Sequence, residues 1–104
     1  MKLDEYIIDD RQNYSFPITR KGKITAGALP EEHFWLLIDI SPIYSEKLIK
    51  AMQEHLVYGI PRKEVCEKHR VSNSYLSIGL NKLYHVNRTI LKIISFYHEA
   101  KENS

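Results

Sequence analysis

The chain has 104 residues, 43% of them hydrophobic and 27% charged, with a net charge of +2, the composition of one soluble folded domain with a single core. No apolar run reaches the roughly 18 residues of a membrane-crossing helix, and Asp4, Glu5, Asp9 and Asp10 stand where a secretory leader would be basic and then apolar; a cytoplasmic protein is expected. The single cysteine, Cys66, excludes an internal disulfide and a cysteine-based zinc site.

Residues 1–29 mix charges, Pro17, Gly22, Gly27 and scattered apolar side chains without a sustained period, and read as a partly disordered N-terminal arm. Within it Tyr6 to Ile8 suit a short strand, and Arg20, Lys21 and Lys23 suit contact with DNA. From residue 30 onwards the pattern is helical, and residues 30–104 form the folded unit. Pro30 at a helix start, followed by Glu31 and Glu32, places acidic side chains at the positive end of a helix dipole. The run from His33 to Ile40 is apolar almost all round, more than one short helix can turn towards one core. Phe34, Trp35, Leu37 and Ile38 are therefore candidates for a self-association surface, unless the arm or the C-terminal helix covers them.

Ser41-Pro42 breaks the chain. Ser45 caps a helix expected to run to Tyr58 and to close at Gly59. Leu48, Ile49, Met52, Leu56 and Val57 recur at three-to-four spacing, which makes this the scaffold helix of the core.

Between residues 61 and 83 the spacing predicts two short helices at a steep angle. Pro61 starts the first, Val65 and Cys66 face inward, His69 and Arg70 end it, and Val71 plugs the turn. Ser72 caps the second, whose Leu76, Leu80 and Leu83 form an inward stripe, with Gly79 permitting close contact. This is the pattern of a helix-turn-helix, in which one helix enters a groove of DNA and the other braces it. After Tyr84 and His85 a separate final helix, 86–101, carries Val86, Ile90, Ile93, Ile94 and Tyr97 on one side, and Ile94 and Tyr97 join the self-association candidates. The expected fold is all-α, a small bundle of about five helices.

Charge distribution points the same way. Between Pro61 and Arg88 six basic residues face two acidic ones, Glu64 and Glu67, a local balance of +4 in a chain whose remainder is mildly acidic. That asymmetry is the footprint of a phosphate-facing surface. Arg62, Lys63, Lys68, Arg70 and Lys82 are the phosphate candidates. On the outward side of the second helix, Asn73, Ser74, Ser77, Ile78, Asn81 and Lys82 are the candidate readers, and Ser72 and Tyr75 are counted with them among the DNA-binding residues. Asn pairs bidentately with adenine, Ser serves any base edge and Ile78 suits a thymine methyl, so the surface leans towards A·T pairs.

The chain resembles the PapB family, the regulators of bacterial adhesin and fimbrial operons. The resemblance covers roughly residues 28 to 95. It is carried by His33-Phe34, Leu36-Leu37-Ile38, Ser41, Ile43, Ser45, Ile49, Ala51-Met52, Leu56-Val57, Gly59 and above all Arg62-Lys63-Glu64-Val65-Cys66-Glu67-Lys68. It implies a helical helix-turn-helix protein that oligomerises on A·T-rich double-stranded DNA upstream of adhesin genes and activates or represses with dose. By the same resemblance Arg62 and Lys63 stand at basic DNA contacts, and Asn73 and Tyr75 in the recognition helix.

Two other classes compete. An enzyme built on Cys66 with one of His33, His55, His69, His85 or His98 lacks an accessible, activated thiol, and no phosphate loop or carboxylate pair accompanies it. The histidines are spaced too irregularly for a metal, so neither cofactor, metal nor small-molecule substrate is expected. The other is a protein-interaction module that docks a second regulator through residues 34–38 without binding DNA.

Overall fold

In the computed structural model the described residues are 24–103, with side chains described through residue 98. Among them are four helices, α1 (Glu31–Asp39), α2 (Glu46–Leu56), α3 (Arg62–His69) and α4 (Asn73–Asn103). The only other regular feature is an isolated bridge at Ile24. Most of the expected arm, with Tyr6 to Ile8 and Arg20, Lys21 and Lys23, lies outside the described residues.

Each helix begins at the residue whose chemistry suits it. Pro30, extended at φ −60° and ψ 144°, precedes α1 with Glu31 and Glu32 in the first turn. The Ser45 hydroxyl accepts from the Leu48 amide at 3.4 Å at the start of α2, and the Ser72 hydroxyl accepts from the Tyr75 amide at 3.0 Å at the start of α4. Helix α3 ends on Arg70 in the left-handed conformation, φ 56°, whose amide and that of Val71 both donate to the Cys66 carbonyl.

The helices expected separately at 72–83 and 86–101 are one helix of 31 residues, about 46 Å long at 1.5 Å per residue. Tyr84 and His85 interrupt nothing, because no Gly or Pro follows Gly79 within α4. What changes there is only the surface the helix covers. Its inward stripe of Leu76, Leu80, Leu83, Asn87 and Leu91 is buried, and beyond Leu91 none of its described residues is.

Helix α2 is the hub. Leu48, Ala51, Met52 and Leu56 are buried and meet Phe34 and Leu37 of α1, Val65 of α3 and the leucine stripe of α4 in one core cluster. A Cβ on Gly79 would lie 3.0 Å from Leu48 Cδ2 and 3.1 Å from Met52 Sδ, so α4 crosses α2 as closely as a glycine allows. Ile24 and Leu29 also belong to the core. The segment that carries them docks on the end of α2, where the Gly27 and Leu29 amides donate to the His55 and Leu56 carbonyls, each at 3.1 Å. Those carbonyls would otherwise be unsatisfied at a helix terminus. Gly27 (φ +75°) and Gly59 (φ +76°) meet there backbone to backbone, and a Cβ on Gly27 would stand 3.0 Å from Gly59 Cα.

A polar link joins α2 to α3. Glu54 Oε2 lies 3.0 Å from Lys68 Nζ and 3.2 Å from His69 Nε2. Burial pushes the Glu54 carboxyl up, but hydrogen bonds from Lys68 and His69 and their charges outweigh it and hold the group below its ordinary value.

Two outcomes are expected. Gly27→Ala forces an L side chain into the left-handed region and against backbone, and lowers stability by about 2 kcal/mol, a Tm fall of about 10 °C by thermal circular dichroism; an unchanged Tm would mean that the Gly27–Gly59 contact is dispensable. Because the folded Glu54 carboxyl titrates below its ordinary value, its stabilisation is complete above that value and is lost as pH falls through the folded one. Between pH about 5 and about 3, Tm should therefore fall more steeply in the native chain than in Glu54→Gln; equal slopes would show the link to be inert.

Candidate nucleic-acid interface

Burying Leu76, Leu80 and Leu83 decides what α4 presents to solvent. With 3.6 residues per turn, Ser74, Ile78, Asn81 and His85 lie opposite that stripe, and all four are exposed. Tyr75 and Lys82 occupy one flank, and Asn73, Ser77 and Tyr84 the other. The exposed face is short and mostly polar, with Ile78 its single aliphatic member, and Lys82 is its flanking cation.

The second flank is occupied by α3. Arg62, the first residue of α3, reaches across the turn and donates from Nε to Asn73 Oδ1 at 3.0 Å and from Nη2 to the same oxygen at 2.9 Å. Nη2 also approaches the Asn73 carbonyl oxygen at 3.3 Å and donates to Ser77 Oγ. Arg62 is partly buried, as is Tyr84 two turns beyond Ser77 on α4. Burial raises the Tyr84 hydroxyl above its ordinary value, and the positive charge of Arg62 pulls it part of the way back.

These bonds change the roles read from the sequence. Arg62 lies along α4 with its guanidinium bound to Asn73 and Ser77, where the sequence reading had it reaching for phosphate. Lys68 is exposed but its ammonium is bound to Glu54. Lys63, Arg70 and Lys82 are exposed. The left-handed conformation of Arg70 projects it from the turn, and its carbonyl accepts from Lys47 Nζ at 3.4 Å. Ser72 spends its hydroxyl on capping. Cys66 is a partly buried free thiol packed against the core.

The loop before α2 contributes residues that the sequence reading passed over. Pro42 and Tyr44 sit beside Tyr75, Ile78 and Lys82 and line a surface groove with them, and a shallower depression of about 400 Å³ lies between Pro42, Ile78, Asn81, Lys82, His85 and Val86. Tyr44 is 85% exposed. Loop and helix are more than 30 residues apart in sequence, so no local pattern signals their meeting.

The self-association candidates divide. Phe34 and Leu37 are buried core residues, so they are not part of a surface; they are the inward face of α1. Trp35 is exposed and Ile38 partly buried, while Leu36 and Ile40, each 60% exposed, complete the outer apolar face. Trp35 also donates to Glu31 Oε2 at 3.4 Å, and the Tyr58 hydroxyl to Glu31 Oε1 at 2.9 Å. At the far end of α4, Ile94 is partly buried and Tyr97 is exposed beside Ile93 and Phe96. Among the described residues no group of three His, Cys, Asp or Glu could hold a metal, and no helix is long and apolar enough to cross a membrane.

Known proteins are similar to this chain. Residues 7–97 match the PapB family, described as the adhesin biosynthesis transcription regulatory protein. The AFA-III adhesin operon regulatory protein of Escherichia coli is 42% identical over 79 residues, 76% of this chain and 78% of that one. The PapB regulatory protein of the major pilus subunit operon, also from Escherichia coli, is 41% identical over 78 residues, 75% of each chain. The crystal structure of Escherichia coli FocB superposes with a TM-score of 0.70 at 40% identity, covering 75% of this chain and 89% of that one. The named relatives are regulators, not enzymes.

Proposed function

The chain belongs to the PapB family of adhesin biosynthesis transcription regulatory proteins, and from that premise we propose that it binds double-stranded, A·T-rich DNA upstream of an adhesin or fimbrial operon, with α3 and the first three turns of α4 acting as a helix-turn-helix. The observation that carries the reading is the exposed face of α4. A helix whose leucine stripe is fully buried leaves Ser74, Ile78 and Asn81 outward with Lys82 on their flank, and Lys63 at the start of α3 and Arg70 in the turn are exposed as well. A row of short polar side chains flanked by cations is what a base-reading helix with phosphate contacts requires.

Exposed apolar surface fits the same function. Trp35 and Leu36 on α1 with Ile40 just after it, and Ile93, Phe96 and Tyr97 on α4, leave two apolar patches in solvent. Either would serve a second copy, and paired reading helices would then meet successive turns of DNA about 34 Å apart. Both activation and repression are compatible with such a protein in the cytoplasm, depending on where it sits relative to the promoter.

Fluorescence anisotropy with an A·T-rich and a G·C-rich duplex across salt concentrations tests the reading. Steeply salt-dependent binding that favours the A·T-rich duplex is expected; binding to neither at low salt would move the function to the apolar face and a protein partner. Within that assay Arg70→Gly is the informative variant. Glycine relieves the left-handed backbone, so Tm is kept or rises, while the slope of log affinity against log salt falls by about one. An unchanged slope in Arg70→Gly, Lys63→Ala and Lys82→Ala alike would remove these residues from the interface.

A further inference from the structure

The contact between Arg62 and the start of α4 has a chemical consequence for what α4 can read, which rests on the DNA-binding reading above. A guanidinium carries donors and no acceptor, so the amide atom facing it must be oxygen. Arg62 donates to Asn73 Oδ1 twice, at 3.0 and 2.9 Å, and an amide oxygen has two lone pairs to give. Ser77 Oγ accepts from the same guanidinium, which directs the hydroxyl proton elsewhere. Ser72 Oγ is taken by the Tyr75 amide at 3.0 Å. Three side-chain oxygens at the start of α4 therefore each accept a hydrogen bond from within the protein.

We propose that Arg62 is a positioning residue that turns the start of α4 into a donor surface, so that Asn73 presents only its NH2 group and reads acceptor atoms on base edges. Bidentate pairing with adenine needs the asparagine oxygen to accept from the adenine N6 amine while its nitrogen donates to N7. With the oxygen occupied by Arg62, only the donating half remains. The acceptors it fits are purine N7 and thymine O4 in the major groove, or adenine N3 and thymine O2 in the minor groove. These two sources share one chemistry, and the N6 amine plays no part in either.

The test measures what Asn73→Ala costs on three duplexes of equal length, using the full chain. One alternates A·T pairs. The second carries purine for adenine, whose pair with thymine lacks the N6 amine and keeps N7, thymine O4 and the minor-groove edge. The third carries 2,6-diaminopurine for adenine, which keeps the major-groove edge of A·T and adds a minor-groove amine. Asn73→Ala is expected to weaken binding by about tenfold on both the A·T and the purine·T duplexes. Retention of that cost on the diaminopurine duplex assigns N7 or O4, and its disappearance assigns N3 and O2; either outcome supports the donor assignment.

A cost on A·T that vanishes on purine·T would overturn it in favour of bidentate adenine reading, and no cost on any duplex would show that Asn73 reads no base. If the native chain binds none of the three at low salt, the DNA-binding reading and this one fall together. The positioning role has its own readout. In Arg62→Ala, and in Arg62→Lys, which keeps the charge but loses the fork, Asn73→Ala should cost about twofold or less on A·T, with the native Tm checked for each variant. Losses that simply multiply would show Arg62 acting on DNA independently of Asn73.

Discussion

Where α4 crosses α2, the backbone at Gly79 stands against Leu48 and Met52 with no room for a side chain to spare. That close approach fixes the rotation of α4, and the rotation settles everything the helix offers to a partner. Leu76, Leu80 and Leu83 go inward, so Ser74, Ile78 and Asn81 must face out. A rotation by one residue, about 100°, would bury a polar side chain and expose a leucine. The packing and the proposed DNA-facing surface are thus two readings of one constraint.

Helix α3 depends on the same frame. Eight residues are too few for a helix to persist in water on its own. Its place comes from Val65 in the core, from the Glu54 link to Lys68 and His69, and from Arg62 gripping the first turn of α4. A short helix held at both ends keeps the start of α4 rigid, which is what discrimination between base edges would require under the proposed function. The C-terminus of α2, which supplies Glu54, is in turn closed by the amides of Gly27 and Leu29.

Much of this was legible in the residues. The caps at Ser45 and Ser72, the start at Pro30, the plug at Val71 and the leucine stripe are local signals, and local signals survive without knowledge of the fold. Three features were not. The continuity of α4 through Tyr84 and His85 was misread because the stripe weakens there, although nothing in the sequence breaks the helix. Phe34 and Leu37 were indistinguishable from Trp35 and Leu36 because an all-apolar run does not say which side faces the core. The Arg62–Asn73 pair spans two elements, and two polar residues each suited to DNA give no sign that they are bound to one another. The family resemblance pointed to the same segment but could not supply that pairing.

The most direct test of the central claim follows backbone amide shifts of the isotope-labelled full chain by nuclear magnetic resonance while an A·T-rich duplex is added. The account predicts that the largest changes cluster on the turn and the exposed face of α4, from Arg70 through Lys82, with Lys63 beside them. Changes confined to α1 around Trp35, Leu36 and Ile40, or none at saturating duplex, would contradict it.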